Sequence, residues 1–317
     1  MPYIRVCNTN YIHVLIYIIQ ICAYYTKFVM KVINDTTRKS YGAVFNSFYG
    51  LEGAYEEHYK NAFGTKCWSL GPVSLWANQD GSNKAERGDT KVEGDSGLFK
   101  WLNSKKENSV LYLSFGSMNK FPSSQLIEIA HALEASNCDF IWVVRKSNDK
   151  EGEDFIEEFE KRVKESNKGY LIWGWAPQLL ILENKAIGGI VTSCGWNTIV
   201  ESVNAGLPMV TWPLFAEQFF HEKLVVEVLK IGVSLGVRKW KNWNEFDTKD
   251  IVKREDIAKA IGLAMTNGKE VEEMRLRAKA LSDDGKKAIL AGGSSNANLI
   301  QIIEELKSLK HQRHYGN

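Results

Sequence analysis

No disulfide framework or zinc site is suggested by the cysteines. Cys7, Cys22, Cys67, Cys138 and Cys194 are odd in number, widely spaced and without a C-x-x-C pair. Reduced thiols in a cytosolic protein are therefore the expectation. Charge of one sign is also missing. The net charge is +2 and no long basic or acidic run occurs, which argues against a nucleic-acid partner. A membrane span is wanting as well. The longest apolar stretch, Tyr11 to Tyr25, has 15 residues and is broken by His13 and Gln20, short of the roughly 18 or more that a span needs. No small-residue cleavage site follows it, so a signal peptide has little support. That stretch reads as a membrane-associated segment, a buried strand, or an N-terminus foreign to the rest of the fold. Internal repeats and low-complexity tracts are absent too. No G-x-G-x-x-G follows a strand with an acidic residue about 20 positions on, so an NAD-dependent oxidoreductase is disfavoured.

What remains is an ordinary globular composition, 44% hydrophobic and 25% charged over 317 residues, enough chain for about two domains. Residues 1–76 read as an N-terminal piece of which 1–30 are atypical. Gly42 to Phe48 is strand-like, and Leu51 to Phe63 helix-like with Glu56 and Glu57 on a polar face. Residues 77–97, polar and rich in Gly, Asp, Asn and Lys, read as a linker. Residues 98–295 alternate strands with helices. Strands are expected at 110–114, 140–144, 170–172, 189–192, 209–212 and 233–235. Helices are expected at 123–135, 155–164, 177–182, 198–204 and 218–229, then at 254–265 and 270–289. A helix over 297–309 lies in the tail, 296–317. Such alternation implies a parallel, doubly wound α/β sheet covered on both faces, with ligands at the carboxyl ends of the strands.

The most unusual residues fall on those strand ends. The segment from Trp175 to Gln218 holds Trp175-Ala176-Pro177-Gln178, then Thr192-Ser193-Cys194-Gly195-Trp196-Asn197-Thr198, then Glu201. It continues with Gly206-Leu207-Pro208 and ends Trp212-Pro213-Leu214-Phe215-Ala216-Glu217-Gln218. Gly195 to Thr198 opens a helix after a buried strand, where free amides and the helix dipole make an anion site. The Thr198 hydroxyl adds a donor. Glu201, expected on the first turn, would repel phosphate and suits ribose hydroxyls instead. Trp175 offers a flat face to a base such as uracil. Glu217 and Gln218 suit sugar hydroxyls. Trp196 and Trp212, taken singly, read as core residues.

This segment resembles the signature box of the plant secondary-metabolite UDP-glycosyltransferases, and its 44 residues match the length of that box. The likeness extends from about Tyr41 to Lys310. Together with Ser114-Phe115-Gly116-Ser117, it is nearest the legume triterpenoid-saponin members. The resemblance implies a GT-B fold of two domains, the C-terminal one Rossmann-like and binding the UDP-sugar. It further implies inverting transfer of a hexose, from UDP-glucose or UDP-galactose as donor substrate, to a hydroxyl of a small lipophilic acceptor of triterpenoid, saponin or flavonoid type. Neither cofactor nor metal is implied, and no D-x-D motif occurs. By the same likeness Trp175 stacks on uracil, while Ala176 and Gln178 contact uridine. Ser117, Asn197 and Thr198 hold phosphates and Glu201 holds the ribose. Trp196, Glu217 and Gln218 meet the sugar.

Two departures stand out. Ser193 occupies the place of a histidine that donates to the diphosphate; it can still donate one hydrogen bond there but is shorter and cannot carry positive charge. Asn184 occupies the place of another histidine, expected to be structural. The family also has a catalytic His in an N-terminal loop, with an Asp partner. His13, in Tyr-Ile-His-Val-Leu, lacks the Gly or Pro such a loop needs, so no catalytic residue is assigned. The expectation is an incomplete acceptor domain. The alternative function is then a UDP-sugar-binding fragment or pseudoenzyme.

Overall fold

The computed structural model describes residues 5–6, 31, 35–37, 39–76, 96–117, 119, 121–145, 150–240 and 250–315. The apolar stretch Tyr11 to Tyr25, His13 within it, and residues 77–95 of the expected linker lie outside the described residues. Among the described residues no helix is long and apolar enough to cross a membrane. The chain divides into two compact units, one of residues 1–79 with 281–317, the other of residues 80–280. The tail therefore joins the first unit from Leu281, earlier than the boundary at 295 expected from sequence.

The first unit is built on a three-stranded parallel sheet, β1 (Arg5–Val6), β2 (Gly42–Phe45) and β3 (Lys66–Ser69), in that order. Helix α1 (Tyr49–Phe63) joins β2 to β3, and the one-turn α2 (Val73–Trp76) follows. Period-two alternation sends Ala43, Phe45 and Cys67 to one face, with Tyr59 and Phe63 of α1. Val44 and Trp68 go to the other face, which the C-terminal helix covers with Leu299, Ile302 and Leu306.

Within α1 one expectation is corrected. Glu57 is exposed, but Glu56 is buried. Its carboxylate accepts a hydrogen bond from the Ser69 hydroxyl and pairs with Lys60 at 2.6 Å. A buried carboxylate is tolerated only with such partners, and β3, unanticipated from sequence, supplies one of them.

The second unit contains α3 (Ser96–Asn103), β4 (Val110–Ser114), α4 (Ser123–Ala135), β5 (Asp139–Val144) and α5 (Lys150–Glu165). Then come β6 (Gly169–Trp173), α6 (Gln178–Leu182), β7 (Ile187–Thr192), α7 (Trp196–Ala205) and β8 (Met209–Thr211). Next are α8 (Gln218–Lys223), β9 (Gly232–Ser234), α9 (Arg254–Met265) and α10 (Lys269–Ala288), inside which the unit boundary falls; α11 (Ser294–Tyr315) closes the chain. Helix α3 begins at Ser96, so the expected linker ends two residues early.

All six strands are parallel, in the order β6-β5-β4-β7-β8-β9. Leu111, Leu113, Phe140, Trp142, Val144, Val191 and Val210 pack beneath apolar residues of α4, α5 and α9. Tyr112, on the opposite face, reaches Gln178 of α6. The fold is therefore doubly wound, as the alternation implies. Helix α8 is shorter than expected: from Leu224 to Val228 the chain turns as a π-helix, with the Leu229 amide donating to the Leu224 carbonyl. Gly206, left-handed at φ 72°, terminates α7.

One surface cluster fastens α11 to the first unit's sheet. The Glu305 carboxylate accepts from Tyr41 Oη at 2.5 Å and from Lys66 Nζ at 2.7 Å. These donors, Lys66 first, hold the Glu305 carboxyl down at about 2. A lowered carboxyl pKa gives stability that is present above the unfolded value and is lost as pH falls through the folded one. Glu305→Gln should therefore lower stability by about 1 kcal/mol or less above pH ~4.5, given solvent screening. The deficit should close as the pH approaches 2. Urea unfolding of both chains across pH 2–7 checks this, and a deficit independent of pH would contradict it.

Candidate functional site

The strand order places a topological switch point between β4 and β7, where ligands of such sheets bind. A cleft of about 290 Å³ lies at these strands' carboxyl ends, entirely within the second unit. Its lining includes Ser117, Trp175, Ala176, Gln178, Asn197, Thr198 and Glu201. Seven of the eleven residues expected at the site therefore meet on one surface.

Each arrives by a local device. After β4, Gly116 adopts φ +74°, a left-handed turn that suits glycine and leaves Ser117 exposed at the cleft. After β6, Gly174 at φ +96° does the same for Trp175. That indole is 44% exposed, unusual for so large an apolar ring, and its open face borders the cleft. After β7 the chain turns through Cys194 and Gly195 into α7. Gly195, the N-cap of that helix, has no side chain to cap it, and the positive end of the helix dipole there favours an anion. Asn197 and Thr198 stand on this first turn.

Glu201 is the sixth residue of α7, so it sits on the second turn rather than the first; at 3.6 residues per turn it still faces the cleft. Its Oε2 accepts from Gln178 Nε2 at 2.7 Å. Gln178 Oε1 in turn accepts from the Tyr112 hydroxyl at 3.3 Å. The chain Tyr112–Gln178–Glu201 thus fixes a carboxylate at the cleft wall. Burial raises the Tyr112 hydroxyl pKa, which keeps it a proton donor to Gln178.

The other four expected residues are placed elsewhere. Ser193 is buried; its hydroxyl donates to the Phe115 carbonyl at 3.3 Å and accepts from Asn119 at 3.2 Å. Trp196 is buried against the ring of His221, centroids 5.0 Å apart, so its indole belongs to the core. Gln218 turns inward, its Oε1 accepting from the amides of Leu214 at 2.8 Å and Phe215 at 3.1 Å. Glu217 is half-buried, and burial raises its carboxyl pKa. None of these four lines the cleft.

Tyr112 and Arg145 line the cleft without having been singled out from sequence. Arg145 is the first residue beyond β5, and position at a strand's carboxyl end is a signal that could have found it. Tyr112 lies inside a strand that reads as plain core, and its sequence context carries no such signal.

A model of the family described as "UDP-glucoronosyl and UDP-glucosyl transferase" matches residues 1–240. The chain belongs to that family. It is 65% identical over 283 residues to the soyasapogenol B glucuronide galactosyltransferase of Glycine max, covering 89% of this chain and 57% of that protein. It is 47% identical to the scopoletin glucosyltransferase of Nicotiana tabacum, covering 90% of this chain and 58% of that one. Among solved structures, UGT73P12 of Glycyrrhiza uralensis, complexed with glycyrrhetinic acid 3-O-monoglucuronide, superposes with a TM-score of 0.89 at 62% identity. The match covers 94% of this chain and 60% of that one. UGT71G1 of Medicago truncatula, complexed with UDP-glucose, superposes with a TM-score of 0.70 at 28% identity, over 87% and 56% of the two chains. The chain spans less than two thirds of the length of these relatives. It is a plant family 1 UDP-glycosyltransferase akin to the legume saponin members, and its fold is of GT-B type.

The inward turn of Gln218 has a measurable consequence. Gln218→Leu strips two main-chain amides of their shared acceptor, and unsatisfied buried donors cost about 1–3 kcal/mol. Urea unfolding should show that loss with an unchanged m-value, and Gln218→Glu, which keeps an acceptor oxygen, should lose less. Equal stability of the Leu variant and the parent would contradict this role.

Proposed function

We propose that this chain takes a hexosyl group from a UDP-sugar and transfers it, with inversion, to a hydroxyl of a small lipophilic acceptor. The observation that carries the reading is the meeting of Trp175, Gln178, Glu201, Ser117, Asn197 and Thr198 on one cleft at the switch point. In this reading uracil stacks on Trp175, with Ala176 and Gln178 beside the uridine. The ribose hydroxyls donate to Glu201, held in place through Gln178 and Tyr112. The diphosphate faces Ser117, Asn197, Thr198 and the N-terminus of α7. The acceptor oxygen bonds to the anomeric carbon as the bond to the β-phosphate oxygen breaks. Negative charge then grows on the departing UDP, where fixed amides and the helix dipole stabilise it most. The hydroxyl proton goes to a base that is not assigned to any described residue.

The finer substrate reading rests on the relatives. The Glycine max protein is named for galactose transfer to soyasapogenol B glucuronide, and the Glycyrrhiza uralensis structure holds a monoglucuronide. A triterpenoid glucuronide acceptor with UDP-galactose as donor is accordingly the first pair to assay. UDP-glucose is the competing donor, and formation of the extended glycoside is the readout. No product from either donor with any triterpenoid or flavonoid acceptor would contradict the transferase reading.

UDP binding is tested separately by calorimetry. Trp175→Ala and Glu201→Ala should each weaken binding by about 1–3 kcal/mol, the range for a lost stacking or hydrogen-bonding partner. Unchanged affinity in both would remove the assignment of uracil and ribose to these side chains.

A further inference from the structure

His221 is fully buried on α8, away from the cleft lining. Its Nδ1 stands 2.8 Å from the Cys194 carbonyl oxygen. A carbonyl can only accept, so this nitrogen carries the proton. Cys194 is an unusual residue to find held this way. Its φ is +65°, the left-handed region that side chains with a Cβ seldom adopt. The preceding peptide is held too, since the Cys194 amide donates to Thr192 Oγ1 at 3.1 Å. One residue later, Gly195 is the N-cap of α7.

The Cys194 carbonyl and the Gly195 amide belong to one planar trans peptide, so they point in opposite directions. Drawing the carbonyl toward buried His221 turns the Gly195 amide the other way, away from His221. We propose that His221 is a positioning residue for the donor diphosphate: its Nδ1–H fixes the Cys194 carbonyl, and through it the direction of the Gly195 amide at the α7 N-cap. This rests on the reading that the cleft takes a UDP-sugar. His221 touches no substrate in this account; it acts through the peptide that leads into the helix. Trp196, whose indole lies 5.0 Å from the His221 ring at 48°, packs beside it as the first residue of α7.

The test compares two ligands that differ only in the diphosphate. Calorimetry with UDP and with uridine is run on the full chain and on His221→Asn and His221→Leu. These two side chains share a shape, and only Asn has a donor at the δ position. His221→Met is a second donor-less variant should the Leu protein not fold. The donor-less variants should lose about tenfold in UDP affinity, the scale of one hydrogen bond, and less than about twofold for uridine. The Asn variant should stay within about threefold of the parent for both. Equal losses for uridine and UDP would reduce His221 to a general packing residue and overturn the proposal. So would undiminished UDP affinity in the donor-less variants, or an Asn variant as weak as Leu. A parent chain that bound neither ligand would instead bring down the UDP reading on which the proposal rests, and the proposal with it.

Discussion

From β4 the chain turns to one face of the sheet, into α4, and from neighbouring β7 it turns to the other, into α7. Two parallel strands that diverge in this way leave a crevice at their carboxyl ends that no connection crosses. The rest of the second unit's chemistry depends on that divergence. Ser117 follows β4, Asn197 and Thr198 follow β7, and Trp175 follows β6 two strands away. Reversing either crossover would put these residues on different surfaces without changing one of them.

The crevice is shaped by side chains that never reach it. Phe115, packed edge-on against Phe121 and Trp212, anchors the loop after β4, and its carbonyl accepts from Ser193 and Asn119. Gln218 closes the loop after β8 by taking two of its amides. Thr211 and Glu222 join β8 to α8 at 2.6 Å, with the Glu222 carboxyl pKa raised by burial. Loops at an active face are costly to leave loose, because misplacement of a group by about 1 Å can cost on the order of a hundredfold in rate. Here buried hydrogen bonds brace the loop after β4, which carries Gly116 and Ser117 of the cleft, and the loops after β7 and β8 beside it.

Much of this was legible in the sequence. Short apolar strands alternating with amphipathic helices were found at positions close to those observed, from β4 at 110–114 to α9 at 254–265. The reason is physical: a parallel strand buried on both faces reads as a short unbroken apolar run, which its length and flanking turn residues separate from a buried helix. Trp175, Asn197, Thr198 and Glu201 were legible because strand ends can be located before any contact is known, while Ser117, Ala176 and Gln178 came from the resemblance to the family. What escaped depended on contacts distant in the chain. Glu56 looks like a surface charge until β3 brings Ser69 to it. Gln218 looks like a sugar-binding amide until the turn before it folds back onto its carbonyl. Ser193 follows a strand as the phosphate-facing residues do, yet its hydroxyl is taken up by the neighbouring loop. Side-chain direction within a tight turn is set by tertiary partners, which periodicity does not encode.

The central claim is that the switch-point crevice of the second unit is a uridine-nucleotide site whose anion end is the α7 N-terminus. A crystal structure of the chain grown with UDP tests it most directly. The account predicts density for the uracil ring parallel to the Trp175 indole, the ribose hydroxyls within hydrogen-bonding distance of Glu201, and the phosphates against the amides of α7. UDP bound elsewhere, or bound in the crevice with its phosphates turned away from α7, would contradict it.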